Sequence, residues 1–415
     1  MTKKILLIIG ILVVIGVALF LIFGSQPTGE GESRVGFSIR EFLPFGKDTG
    51  TSTTTAIDVG SPTVSGLPTT ETNGKIPRLR KISNEPVAGA VVFNTGTTSV
   101  VRFIEKGTGN VYEAKSDSLK IQRLTNTTIP KIIKAFWLPN GSGFLAQTLM
   151  VESEIIETNF VKLNKNNAST TAESLTPFST TIGKLPTGIK EITTKPDSTK
   201  IFYYTINGSY SNWFVSNPDG TGSNLVMSHP LTEWLPNWIS PNLVMMQNKS
   251  SSESAEYNYS FDVSNKILKK IGIGMVGFSS NPKVDGLFTL ASSGGSFPQL
   301  FIVDNKNVTS KIIKANTLAE KCVWLKEKSL SVLCAVPNQI PNGNYPDVWY
   351  KGLVSTEDFI TKIDIDNDIF YNTADLTSLS NQKIDVVDIN ISPDETHLIF
   401  RNKIDGYLWL LRIEE

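Results

Sequence analysis

Ser392, Asp394 and His397 supply the three side-chain types of a nucleophilic triad within six residues. A working triad brings its members together from separate elements, with the imidazole between nucleophile and acid, and one tight turn cannot arrange that. Ser and Asp at these positions are what a turn uses for side-chain to backbone bonds, so the segment reads as a turn. The second histidine, His229 before Pro230, has no partner that spacing identifies and reads as a loop residue. A further constellation, Asp364-Ile365-Asp366-Asn367-Asp368 with Asp375 at the twelfth position, carries the alternate oxygen ligands of a calcium loop. The Gly that such a loop needs at its sixth position is Ile369 here, and no flanking helices are legible. The stretch therefore reads as an edge strand, Phe359 to Ile365, running into an Asp/Asn turn, with no metal and no cofactor expected.

Cys322 and Cys334 stand in consecutive strand-like runs, Cys322 to Leu325 and Leu330 to Ala335. A turn centred near Lys328 sets them opposite one another, at the roughly 4.5–5.5 Å Cβ separation of a cross-strand pair, which is close to what a disulfide requires. In an oxidising compartment the expectation is a disulfide; the alternative is two buried thiols. Tyr345, Asp347, Trp349 and Tyr350 lie in one aromatic segment, Pro337 to Gly352, and Tyr210 and Trp213 in what reads as the corresponding loop of an earlier unit. Aromatic side chains bring large contact area at low entropic cost, so these six are the candidate binding residues. The alternative is that the rings cover the loop's own apolar floor.

The elements that must position these groups can be read in order along the chain. The chain has 415 residues, 39 Lys and Arg against 39 Asp and Glu, two Cys and two His. A net charge of zero removes the electrostatic footprint of a nucleic-acid binder, and so few Cys and His fit neither a disulfide scaffold nor a usual zinc site. Lys3 and Lys4 precede an unbroken apolar run from Ile5 to Phe23. Nineteen residues at about 1.5 Å each span roughly 28 Å, near the thickness of a bilayer's hydrocarbon core. A cleaved signal peptide is the rival, but the run exceeds a usual signal core and no small-residue cleavage site follows. The cationic tip predicts a cytoplasmic amino terminus with the rest of the chain outside. The expected organisation is thus a membrane segment over 1–24, a Ser/Thr/Gly/Pro tether over 25–76 and a folded domain over 77–415. Within the tether only Phe42-Leu43-Pro44-Phe45 is apolar enough to dock, and about fifty such residues reach about 40 Å.

From Ile76 onward, short runs of Val, Ile, Phe, Tyr, Trp and Thr alternate with Asn, Gly, Pro and Asp, with no stretch of helical period. Turn positions recur at Pro139, Pro196, Pro241, Pro282, Lys326 and Pro393, with gaps of 57, 45, 41, 44 and 67 residues. A period near 40–50 residues holding four short strands is the signature of a β-propeller. Counting the first period around Val87 to Leu124 gives an all-β fold of seven blades, with six and eight as the neighbouring counts. The last period, Val386 to Ile413, lacks a fourth strand, and Arg78 to Ser83 is the natural donor. Trp137, Trp238 and Trp324 fall in inner strands and should pack between blades. Asn-x-Ser/Thr triplets at Asn126, Asn140, Asn207, Asn248 and Asn307 are what a chain this rich in those residues produces by chance.

Ser392-Pro393-Asp394-Glu395-Thr396-His397-Leu398-Ile399-Phe400, followed by Asp405-Gly406-Tyr407-Leu408-Trp409, resembles the repeat of TolB-like and WD40-like propellers. Ser216-Asn217-Pro218-Asp219-Gly220 resembles the turn between the third and fourth strands of that repeat. The resemblance implies a fold, and with the anchor it implies a place in the cell envelope; it brings no activity. The expectation for function is a non-catalytic module binding an envelope protein or a glycan. The alternative is an envelope hydrolase or lyase that gathers carboxylates and Tyr around the propeller channel.

Overall fold

The computed structural model describes residues 75–150, 155–166, 176–327 and 329–414. The apolar run Ile5–Phe23, the tether to residue 74 and its Phe42–Phe45 spot lie outside the described residues. Among the described residues no helix is long and apolar enough to cross a membrane.

The described chain forms seven four-stranded antiparallel sheets, and the fold is an all-β, seven-bladed propeller. Val87–Thr95, the first strand of blade one, touches the first strand of blade two and that of blade seven, Val386–Ile391, while the first strand of blade five, Ser279–Pro282, meets the second strand of blade four and the 3-10 turn Ala319–Lys321 that leads into blade six. Each recurring turn position seen in the sequence lies where a first strand ends and hands over to the second. The aromatic side chains beside those positions fill the space between blades. The Trp137 indole donates to the Gly89 carbonyl of blade one at 3.1 Å, and that of Trp324 to the Asn281 carbonyl of blade five at 3.0 Å. Gly89 is required at the first of these seams, because a Cβ there would lie 2.2 Å from the Ala135 carbonyl oxygen.

Blade seven is built from both ends of the domain. Its strand order runs Leu79–Lys81, Leu408–Arg412, His397–Asn402, Val386–Ile391, with Leu79 opposite Leu411 and Lys81 opposite Trp409. Pairing the two ends removes an open edge and joins them without a covalent bond. Among the described residues, two single α-helical turns, Asp347–Tyr350 and Leu376–Ser380, and a 3-10 turn, Ala319–Lys321, interrupt the all-strand reading. Each is too short to leave a 3.6-residue period in the sequence.

Candidate functional site

Connections from second to third strand and from fourth to first strand share one rim of the ring, here called the top face. The longest of them, residues 338–357 of blade six, does not stand away from this rim but lies across it. Tyr345 exchanges backbone hydrogen bonds with Gly295 of blade five, at 2.8 and 3.1 Å. The Asp347 carboxylate accepts from the Ser252 backbone N–H of blade four at 2.7 Å. On its other side the segment meets the loop into blade seven, where the Trp349 indole donates to Asp385. Gly294 permits this packing, since a Cβ there would lie 2.1 Å from the Tyr345 carbonyl oxygen.

Beneath the segment sits a buried ionic cluster. The Lys321 ammonium donates to Asp358 at 2.7 Å, Asp385 at 2.9 Å and the Thr356 hydroxyl at 2.9 Å, so all three of its protons are placed. Asp358 also accepts from the Val386 N–H at 2.7 Å, which ties blade six to blade seven. Burial alone would lower the Lys321 pKa, but the Asp358 and Asp385 charges together outweigh it and raise it. Lys403, 3.8 Å from Asp385, is lowered by its own burial. Both ammonium groups lie over the Trp349 ring, 5.2 and 4.9 Å from its centroid.

Above the cluster opens a recess of about 350 Å³, whose wall includes Glu320, Tyr350, Asp388, Arg401 and Lys403. The Tyr350 hydroxyl donates to Glu320 at 2.6 Å. Glu320 is exposed in the wall of this recess; the protein crowded around its carboxyl pushes it up to about 7, and the Tyr350 hydrogen bond works against that shift. Desolvation and the neighbouring Glu320 raise the Tyr350 hydroxyl well above an ordinary tyrosine. Asp388 accepts from both Nε and Nη2 of Arg401, at 2.8 and 2.6 Å. It sits where the pairing register of its strand shifts, with φ of 52°. Among the described residues it is the one non-glycine within a strand held in the left-handed region, and such strain often collects at working sites.

The residues singled out from the sequence separate on folding. Trp349 and Tyr345 are buried, with Tyr345 Oη donating to the Pro341 carbonyl at 2.9 Å; they hold the segment down and offer no free face. Of that segment's aromatic rings, Trp349 and Tyr350 both line the recess, and Tyr350 is the exposed one. Tyr210 and Trp213 are not in a loop: both belong to the strand Tyr210–Ser216, because Gly208, at φ 59°, closes a tight two-residue turn before it. Tyr210 is exposed, whereas Trp213 is buried between blades three and four, its ring 4.7 Å from that of Phe202.

Cys322 and Cys334 face each other in register and are joined as a disulfide. The calcium-like carboxylates diverge: Asp364 accepts from Asn367, Asp366 from the Leu330 N–H, Asp368 pairs with Lys314, and Asp375 caps the turn at Ser378. The preceding strand is Asp358–Asp364, an interior third strand and not an edge, because Ile369–Asp375 pairs outside it. Ser392, Asp394 and His397 close their turn on themselves, Ser392 Oγ donating to Asp394 at 2.5 Å and the His397 N–H to Ser392 Oγ at 3.0 Å.

Glu320, Lys321, Asp358, Asp385, Asp388, Arg401 and Lys403 carried no motif. The signal available was the placing of charges directly against apolar inner-strand runs, as in Ala319-Glu320-Lys321-Cys322 and Ile384-Asp385-Val386.

No known sequence family matches this chain, and no curated protein matches it either. Among solved structures it is similar to an oligogalacturonate lyase in complex with manganese, at 10% identity over 77% of this chain and 87% of that one, with a TM-score of 0.51. An oligogalacturonate lyase from Vibrio parahaemolyticus matches at 10% identity over 81% and 94%, with a TM-score of 0.52. TolB from Acinetobacter baumannii matches at 10% identity over 64% and 59%, with a TM-score of 0.41. At such identities the likeness is one of fold.

Proposed function

We propose that this protein is a membrane-anchored, extracytoplasmic binding module whose propeller takes its ligand at the top-face recess, through Glu320, Tyr350, Asp388 and Arg401. The observation that carries this reading is the recess itself, about 350 Å³ between blades six and seven. Its size falls in the range of small-ligand sites, roughly 300–1,000 Å³. The clasped segment gives it a preformed wall, so little ordering entropy opposes binding. Membrane attachment rests on Lys3, Lys4 and the apolar run Ile5–Phe23.

The test places a photoreactive phenylalanine analogue at position 350 in cells, with position 210 as control. Tyr350 and Tyr210 are both exposed, so neither replacement opens the core. Adducts from position 350 that disappear on Asp388→Ala support the reading. No adduct, or the same adducts from both positions, overturns it.

A second reading is favoured by one observation, the Glu320 carboxyl at about 7 beside Tyr350. A carboxyl that exchanges its proton near neutrality suits general acid–base catalysis, as an envelope hydrolase or lyase requires. Oligogalacturonate lyases share the fold, and incubation with oligouronates tests for turnover, which Glu320→Gln should abolish.

A further inference from the structure

We infer that the recess is a subsite for a neutral sugar ring, the pyranose end of a glycan, held between the Asp388–Arg401 pair and Tyr350. The inference rests on the binding-module reading and adds to it the chemical class of the ligand.

Charge comes first. Lys321 and Lys403 face Asp358 and Asp385, and Arg401 faces Asp388, so three cations meet three carboxylates. Glu320 then leaves the recess neutral, or with one negative charge when ionised. An acidic ligand finds no cation to spare and two carboxylates to repel it. A cationic ligand meets Arg401 and Lys403 in the same wall. What fits is a group that is uncharged yet donates and accepts hydrogen bonds at once, which is a hydroxyl.

The Asp388–Arg401 pair offers the complement. Arg401 spends Nε and Nη2 on the single oxygen Oδ2 of Asp388. Among the described residues, Oδ1 of Asp388 and Nη1 of Arg401 have no hydrogen-bond partner, nor has Oε2 of Glu320. An acceptor beside a donor suits two neighbouring hydroxyls, one donating to the carboxylate and one accepting from the guanidinium. Val387, Ile389 and the Tyr350 ring complete the wall with apolar surface for the C–H face of a sugar. The two bonds from Arg401 hold the carboxylate at this place.

Saturation-transfer NMR on the full-length protein tests the inference, in an amine-oxide detergent that carries no sugar headgroup. The probes are the methyl glycosides of glucose, galactose, mannose and N-acetylglucosamine, with glucuronate and galacturonate as acidic comparators. The expected result is transfer to the ring protons of at least one neutral glycoside. Arg401→Lys, which keeps the charge and loses the planar fork, should weaken binding about tenfold, the scale of one hydrogen bond to a charged group. Asp388→Ala should abolish it, and Tyr210→Ala should leave it unchanged. Silence from every neutral glycoside, or transfer that survives Asp388→Ala, overturns the inference. Transfer to uronates alone overturns the neutral class and leaves the binding reading standing. A cross-link from position 350 with silent glycosides sinks the sugar subsite alone, while silence in both experiments sinks both.

Discussion

The Trp349 indole N–H donates to both carboxylate oxygens of Asp385, at 3.1 and 2.9 Å, and neither residue is solvent-exposed. Through this contact a loop of blade six is fastened to the start of blade seven's inner strand. Asp385 also holds Lys321 and accepts from the Thr356 N–H at 3.2 Å. One carboxylate thus joins the blade-six segment to the charge cluster.

Asp385→Ala should be among the most destabilising single changes in the domain. It removes one of two counter-charges from a buried ammonium and strands the Trp349 and Thr356 donors. Breaking such a pair from one side costs about 3–5 kcal/mol. Urea denaturation measures this, and a loss under about 1 kcal/mol would contradict the assignment of the cluster as tightly coupled. Trp349→Phe, which loses the hydrogen bond and keeps most of the ring, should cost about 1–3 kcal/mol.

Glu320 makes stability depend on pH in a definite direction. Its carboxyl is raised from 4.5 to about 7 on folding, so the folded state holds this proton more tightly than the unfolded state. The contribution is fully present below about pH 4.5 and is lost as pH rises through about 7, where an ionised carboxylate must remain in the recess. Glu320→Gln imitates the protonated form. Variant and wild type should therefore melt together in acid, and the variant should melt higher in mild alkali. Parallel melting curves at all pH values would sink the prediction.

The Cys322–Cys334 bond joins the first two strands of blade six and lies next in sequence to Lys321. Replacing both cysteines by Ala should cost about 3 kcal/mol, the scale for closing a loop of this order. Alkylation of the unfolded, unreduced protein should label neither cysteine. Labelling of both would show that the thiols remain free.

Gly294→Ala places a Cβ 2.1 Å from the Tyr345 carbonyl oxygen, so the blade-six segment must lift. Hydrogen exchange should then quicken over residues 342–354 while the blade cores keep their protection. Unchanged exchange there would mean that the backbone contact does not hold the segment.

The recurrence of turn residues was enough to read seven blades, because each blade repeats the same local problem of four short strands and three turns. The opposition of Cys322 and Cys334 was legible for the same local reason, since pairing in a short hairpin follows from where the turn falls. Tyr210 and Trp213 were misread as loop residues: a two-residue turn at Gly208 starts the strand at Tyr210. Tyr345 and Trp349 read as a docking surface because their types suit contact, and nothing local says that blades five and seven would receive them.

By itself, then, the sequence determined the repeated strand and turn pattern, the blade number and the facing cysteines, all of which rest on neighbours close along the chain. The site was decided only by the tertiary structure. Lys321, Asp358 and Asp385 meet at 2.7 and 2.9 Å across separations of 37 and 64 residues. Asp388 and Glu320 share a recess only because blades six and seven are adjacent in the ring. Period and composition report which face of a strand is apolar; they carry no information about which distant charges closure of a ring brings into one cavity.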